Sequence, residues 1–375
     1  MKVLITGGAG FVGANLACYL TERGHQVTCM DNLVRRGSEF NLPTLRRRGV
    51  RFIHGDVRNA EDFVALPRDI DAVCECCAQP SAIDGYGNPL FDINNNTIGL
   101  LNTLEYARRN GAGLIFWSTN KTYAGEHINA FPMIEGETRW TWDQEAIHAL
   151  YGDRLPAGFD PVHGFTSDFT VDGHDHSIYG LSKIMADLAC QEWHDAFGVR
   201  TVVNRWSCLA GEGQFGKSAQ GWVAWWAIAF HFGLPLRYIG WEGKQVRDAL
   251  FIEDICRLVE IELGDLDRLA GSVFNVGGGR DITLSLREAT ALMEDIFGHS
   301  VPVEYQEDPR KADHCIYVSD IRPVTAATGW TPRVSIEEGY ERIIRWVVDH
   351  EEELAGLYAD LPRMAPARAP LTVAA

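Results

Sequence analysis

The sequence is short of positive charge, of long apolar runs and of paired cysteines, and each shortage removes a class of function. Its 34 Lys and Arg stand against 51 Asp and Glu, a formal net charge of −17. A field of that sign repels phosphate backbones and anionic lipid, so neither nucleic acid nor a membrane surface is an expected partner. A few arginines inside a pocket can still hold an anionic ligand. No stretch is long and apolar enough to cross a bilayer as a helix, and no secretory pattern precedes the first strand. The nine cysteines are odd in number and lie mostly in apolar runs. That suits free thiols in a reducing cytoplasm better than a disulfide framework. The run Cys74-Glu75-Cys76-Cys77 has no second pair at zinc-site spacing, so no metal is expected and a place in the core is preferred. There is no internal repeat.

What is present is enough chain, 375 residues with 46% apolar, for one large or two modest cores. Strand-like and helix-like segments alternate from the start. Strands are expected at 2–6, 26–31, 51–54, 71–78, 113–118 and 201–205, and helices at 13–22, 61–65, 97–109 and 177–197. Short apolar strands alternating with helices predict an α/β fold, a Rossmann-type doubly wound parallel sheet covered on both faces. The large domain is expected over 1–210 with an insertion at 124–176. A smaller substrate lobe is expected over 211–361, parts of it returning to the sheet, followed by a disordered tail at 362–375. An insertion with Trp140, Trp142, Phe159 and Phe165 among acidic and turn residues is expected to cover a ligand site or to pack on the surface.

Gly7-Gly8-Ala9-Gly10-Phe11-Val12-Gly13 follows the first strand and opens the first helix. Gly7 permits a tight turn, Gly10 lets backbone approach a pyrophosphate, and Gly13 lets helix lie close to strand. The helix N-terminus then offers free N–H groups to the anion. Asp31 ends the second strand, where a carboxylate accepts hydrogen bonds from an adenosine ribose and repels a 2′-phosphate. NAD is therefore favoured over NADP, with Arg35 and Arg36 close enough to leave the point open. Asp56, ending the third strand, is placed to face the adenine amino group.

Tyr179 and Lys183 lie one turn apart on one helix face. A tyrosine with a free pKa of about 10 is a poor base at neutral pH. A nearby ammonium stabilises its phenolate, which can then take a proton from a hydroxyl as hydride leaves the same carbon. Ser118 and Thr119 end a strand at the place where a hydroxyl can share that proton. Thr119 is the candidate, the alternative being that both merely cap the next turn.

Glycine loop, hydroxyl and Tyr-Lys pair, in this order, resemble the extended short-chain dehydrogenase/reductase family of nucleotide-sugar enzymes. The likeness spans roughly 2–350 and includes Val246-Arg247-Asp248, Phe274-Asn275-Val276-Gly277-Gly278 and Gly329-Trp330-Thr331-Pro332. It implies NAD held by Gly7, Gly10, Phe11, Val12, Gly13, Asp31, Asn32, Asp56, Val57, Ala78 and Asn96, together with Tyr179 and Lys183. It implies a nucleotide-diphosphate sugar held by Asn120, Lys121, Cys208, Gln245, Arg247 and Arg310, the two arginines facing the pyrophosphate. It also implies a homodimer paired through the helices near 97–109 and 182–191. Ser118–Tyr123, Gln220–Val223 and Gly243–Asp248 are most similar to the CDP-sugar 2-epimerases, implying oxidation at C2 and return of the hydride to the other face. The family's Tyr-Gly after the threonine is Tyr123-Ala124-Gly125 here, Glu75 and Cys76 replace its usual His-Leu, and Cys208 stands where relatives often carry Asn or Ser.

A 4-epimerase fits the same catalytic residues. A 4,6-dehydratase needs an acid and a base directly after the threonine, and Asn120-Lys121 supplies no carboxylate. A noncatalytic NAD sensor or scaffold on the same fold is the reading from another class, and it has no need of a proton-transfer pair.

Overall fold

The computed structural model describes residues 1–362; apart from Pro362, the tail expected to be disordered lies outside the described residues. Seven parallel strands form the main sheet. Their spatial order is Ser272–Val276, Thr201–Trp206, Gly113–Thr119, Ala72–Glu75, Lys2–Thr6, Gln26–Asp31, Arg51–His54. The chain winds outward from Lys2–Thr6 to one edge, then returns and winds to the other. Where the order reverses, the loops leaving Lys2–Thr6 and Ala72–Glu75 diverge and open a crevice at the carboxyl ends of the strands.

The strands are apolar without alternation because helices cover both faces. Val3, Ile5 and Ile115 pack on one side against Leu16, Leu20, Leu258 and Val259. Leu4, Leu114 and Phe116 pack on the other against Leu100, Leu104, Ala186 and Cys190. Each Val, Leu, Ile or Phe among them, fully buried, contributes about 1.5–3 kcal/mol.

Two elements differ from expectation. The strand expected over 71–78 is confined to Ala72–Glu75. Cys76 still donates its N–H to Thr6 at 3.0 Å, but there the chain passes Gly7 so closely that a Cβ on Gly7 would stand 2.9 Å from the Cys76 carbonyl carbon. The backbone then leaves the sheet and lines the crevice. The α-helix expected from 97 begins at Gly99, preceded by a π-helical turn, Ile93–Ile98. That wider turn buries Asn95, Asn96 and Thr97.

The smaller lobe begins with the strand Cys208–Ala210, ahead of the expected boundary, because this strand pairs with Val246–Phe251. Thr283–Ser285 and Ile316–Tyr317 complete its sheet. The helices Trp222–Phe232, Leu286–Phe297 and Ile336–Asp349 enclose a second core. Ser272–Val276 returns to the edge of the main sheet, and Ile252–Gly264 and Arg322–Thr328 bring buried side chains back to its core.

The insertion is ordered around aromatic side chains. Phe131, Phe159, Phe165 and Phe169 form its core with Tyr123 and Tyr317. Phe165 donates its N–H to Val318 at 2.9 Å, which ties the insertion beside the lobes. No helix among the described residues is long and apolar enough to cross a membrane.

Candidate active site

A cavity of about 380 Å³ occupies the crevice and runs from the glycine loop to the smaller lobe. Gly7, Gly10, Phe11, Val12 and Gly13 line one end, with Ala78 beside them. Gly7 holds φ +67, the left-handed turn that favours glycine. A Cβ on Gly13 would lie 2.2 Å from the Gly7 carbonyl oxygen, so only glycine lets the helix start so near the strand. Around Gly10 the one close neighbour is the Gly7 oxygen, at 3.2 Å.

Asp31, Asn32, Asp56 and Val57 do not line this cavity but continue from its edge along the strand ends. The Asp31 carboxylate accepts the N–H of Ala9 at 3.0 Å and of Leu33 at 2.8 Å, which locks the second strand to the glycine loop. Burial raises its pKa, and those N–H groups pull it back. Asn32 donates to Asp56 at 3.0 Å. Arg58 clasps Asp56 and holds its carboxyl at about 2. The Val57 side chain is buried. Arg35 reaches across the crevice to Gln220 at 2.5 Å, and Arg36 to the Gly356 carbonyl. Both are thus engaged by the smaller lobe.

Asn96 also lies off the cavity, and its amide is spent on protein. It donates to Gln79 and to Ser182 and accepts the N–H of Gln79 at 2.8 Å. It therefore fastens the loop after Ala78 to the helix Ser177–Phe197.

The opposite wall carries Thr119, Asn120, Lys121, Tyr179 and Lys183. Gly180 explains how Tyr179 comes so near Thr119: a Cβ there would strike the Lys121 carbonyl at 2.3 Å. Burial pushes the Tyr179 phenol up to about 12, while the Thr119 hydroxyl beside it pulls the other way. Ser118 is turned elsewhere and donates to Asp187 at 2.6 Å. Thr119 accepts the Lys121 N–H at 3.3 Å, so it caps the turn while keeping its place beside the tyrosine. Lys183 is 1% exposed. Its Nζ stands 4.3 Å from the centre of the Phe116 ring and has no hydrogen-bond partner among the described residues.

Toward the smaller lobe, Lys121 and Arg247 share one carboxylate, Asp313, at 2.8 and 2.7 Å. Burial would raise Asp313, but the two cations hold it well below the usual carboxylate range. Arg310 donates to the Ser218 carbonyl at 2.7 Å, and Gln245 to that of Ile239 at 3.1 Å. Cys208 receives the Trp222 indole N–H at 3.4 Å, and burial raises its thiol pKa. All of these residues line the cavity.

Sequence reasoning missed Asp313 and Asp187. Arg205 clamps Asp187 through two hydrogen bonds, 2.9 and 3.0 Å long. Asp187 lies one turn beyond Lys183, and a lone carboxylate on the buried face of that helix is the available signal.

The sequence model of the NAD dependent epimerase/dehydratase family matches residues 3–141 and 148–277. The chain belongs to this family. This NAD-dependent epimerase/dehydratase is 34% identical over 356 residues to CDP-paratose 2-epimerase of Salmonella typhi, covering 92% of this chain and 99% of the relative. It is 25% identical over 358 residues to dTDP-glucose 4,6-dehydratase of Streptomyces niveus, covering 93% and 94%. Among solved structures, UDP-glucose 4-epimerase of Thermus thermophilus in complex with NAD is 25% identical. It superposes with a TM-score of 0.69 over 92% of this chain and 98% of that one. The chain thus takes NAD as its cofactor. The glycine cradle, which added Cβ atoms would fill, and the Lys183 Nζ without a hydrogen-bond partner in the facing wall fit that group.

Proposed function

We propose that this chain is a nucleotide-sugar epimerase that inverts C2 of a CDP-linked sugar through a transient ketone. The observation that carries the reading is the joining of Thr119, Tyr179 and Lys183 in one wall of the cavity that the glycine loop closes. Similarity to CDP-paratose 2-epimerase supports the base and the carbon. NAD supplies a hydride acceptor that gives back what it takes, so no net redox partner is needed. Tyr179 takes the hydroxyl proton as the ketone forms and returns it after inversion, and Thr119 holds the same oxygen. Lys183 lowers the cost of the phenolate. Arg310, Arg247 and Lys121 face the diphosphate, where guanidinium forks suit phosphate oxygens. Gly7, Gly10, Phe11, Val12, Gly13 and Ala78 hold the dinucleotide. Asp31, Asn32, Asp56 and Val57 serve its adenosine end, and Asn96 acts through the loop it fastens.

The dehydratase alternative lacks its acid. Asp313 is the carboxylate in the cavity lining, and two cations keep it ionised. The test is to denature purified protein and assay released NAD, then to offer CDP-, UDP-, GDP- and dTDP-sugars and follow the products by NMR. Turnover confined to C4 of a UDP-sugar would replace the reading with a 4-epimerase.

A homodimer is part of the same proposal. Leu181, Met185 and Leu188 are 42%, 37% and 45% exposed at spacings that form one stripe on the helix, and Ile98 is exposed nearby in sequence to the helix Gly99–Asn110. Sedimentation showing only monomer at micromolar concentration would contradict it. A cytoplasmic location fits the nine free thiols.

A further inference from the structure

We infer that Glu75 is the buried counter-ion of Lys183, a positioning residue that keeps the lysine charged for its work beside Tyr179. The inference rests on the proton-transfer role proposed above for that pair.

Glu75 ends its strand with Phe116 as its Cα partner on one side and Thr6 on the other. Partners across parallel strands send their side chains to the same face, and neighbouring strands lie about 4.8 Å apart. Lys183 Nζ stands over the Phe116 ring. Glu75 and Lys183 therefore lie on the Phe116 face of the sheet, close to one another in the fold but outside direct ion-pair contact. Each residue is 1% exposed, and neither Lys183 Nζ nor Glu75 Oε2 has a hydrogen-bond partner among the described residues.

Two opposite charges in a dry interior are tolerated together better than apart, because the desolvation of each is offset in part by the other. Burial drives the Lys183 ammonium toward losing its proton, and Glu75 is the strongest influence opposing that loss. The other groups that face the pair cannot take its place. Asp187 is already spent on Arg205 and Ser118. Cys77 and Cys190 are thiols that burial pushes up, so they stay neutral. Burial raises the Glu75 carboxyl to about 7, with Lys183 and the N–H and thiol of Cys77 opposing.

The consequence has a definite sign. With Glu75 neutralised, Lys183 gives up its proton at lower pH, and a neutral amine does not support the phenolate. In NAD-loaded Glu75→Gln the alkaline fall of kcat should move down by about one to three pH units, the span an adjacent opposite charge accounts for. KM and bound NAD should change little, and Glu75→Asp should keep the limb near its original place. In parallel, thermal unfolding of Glu75→Gln, Lys183→Met and the double variant should be non-additive, the double being more stable than the two single losses add up to. An unmoved alkaline limb, or a limb that moves equally in Glu75→Asp, overturns the inference, as does an additive cycle. The unfolding cycle needs no substrate. Failure of every CDP-sugar to turn over would therefore sink the substrate reading while the cycle still reports on the coupling of Glu75 to Lys183.

Discussion

Arg205 holds Asp187 through two near-parallel hydrogen bonds, Nε to Oδ2 at 2.9 Å and Nη2 to Oδ1 at 3.0 Å, with both side chains at most 5% exposed. The pair fixes the helix carrying Tyr179 and Lys183 to the strand Thr201–Trp206. Removing one partner leaves the other buried and unpaired, which costs about 3–5 kcal/mol. Arg205→Leu should lower the thermal midpoint by the corresponding amount and reduce kcat, measured by calorimetry and turnover. A fully stable Arg205→Leu would show that water replaces the guanidinium.

Tyr179→Phe keeps the ring in its packing and removes the hydroxyl. Turnover should fall by about 10²–10⁴-fold, the usual worth of a placed acid or base, while NAD released on denaturation stays at the wild-type amount. Thr119→Val should cost about 10²-fold, as losing one oriented donor does. Ser118→Ala should act mainly on stability, because its hydroxyl serves Asp187. Equal effects of Thr119→Val and Ser118→Ala on kcat would contradict the assignment.

Gly13→Ala places a Cβ 2.2 Å from the Gly7 oxygen. The loop must open, and NAD content after purification should drop sharply. Wild-type NAD content in that variant would mean that the cradle is far softer than its backbone contacts imply.

Glu262 is fully buried, and both its oxygens face the Asn204 amide nitrogen at 3.0 and 2.9 Å. Burial raises its carboxyl to about 8, above the unfolded value of about 4.3. The stability tied to this proton is complete below the unfolded value and is lost as pH rises through about 8. Glu262→Gln should therefore lose less stability than wild type as pH rises from about 4 to about 8. Parallel midpoint-against-pH curves would remove Glu262 from the account.

Much of this is legible in the sequence. Apolar runs at 2–6 and 113–118 need burial on two faces, and only a covered parallel sheet provides it. Tyr179 and Lys183 share a helix face by spacing alone. What stayed hidden depends on partners far away in sequence. Asp187 reads as an ordinary helix carboxylate until Arg205 arrives from the next strand. The resemblance places Asn96 at the cofactor, and its bonds to Gln79 and Ser182 are of the kind that only the fold brings together. The insertion at 124–176 is expected from its composition to cover a ligand site or to pack on the surface. None of its described residues lines the cavity, because its aromatic side chains pack on one another and on Tyr317.

The most direct test is turnover of a CDP-linked sugar in D₂O with NMR observation of C2. Hydride that leaves C2 and returns to it predicts inversion with protium retained at that carbon and no NADH accumulating. Solvent deuterium at the inverted C2 would mean deprotonation of carbon rather than hydride return, and would contradict the account.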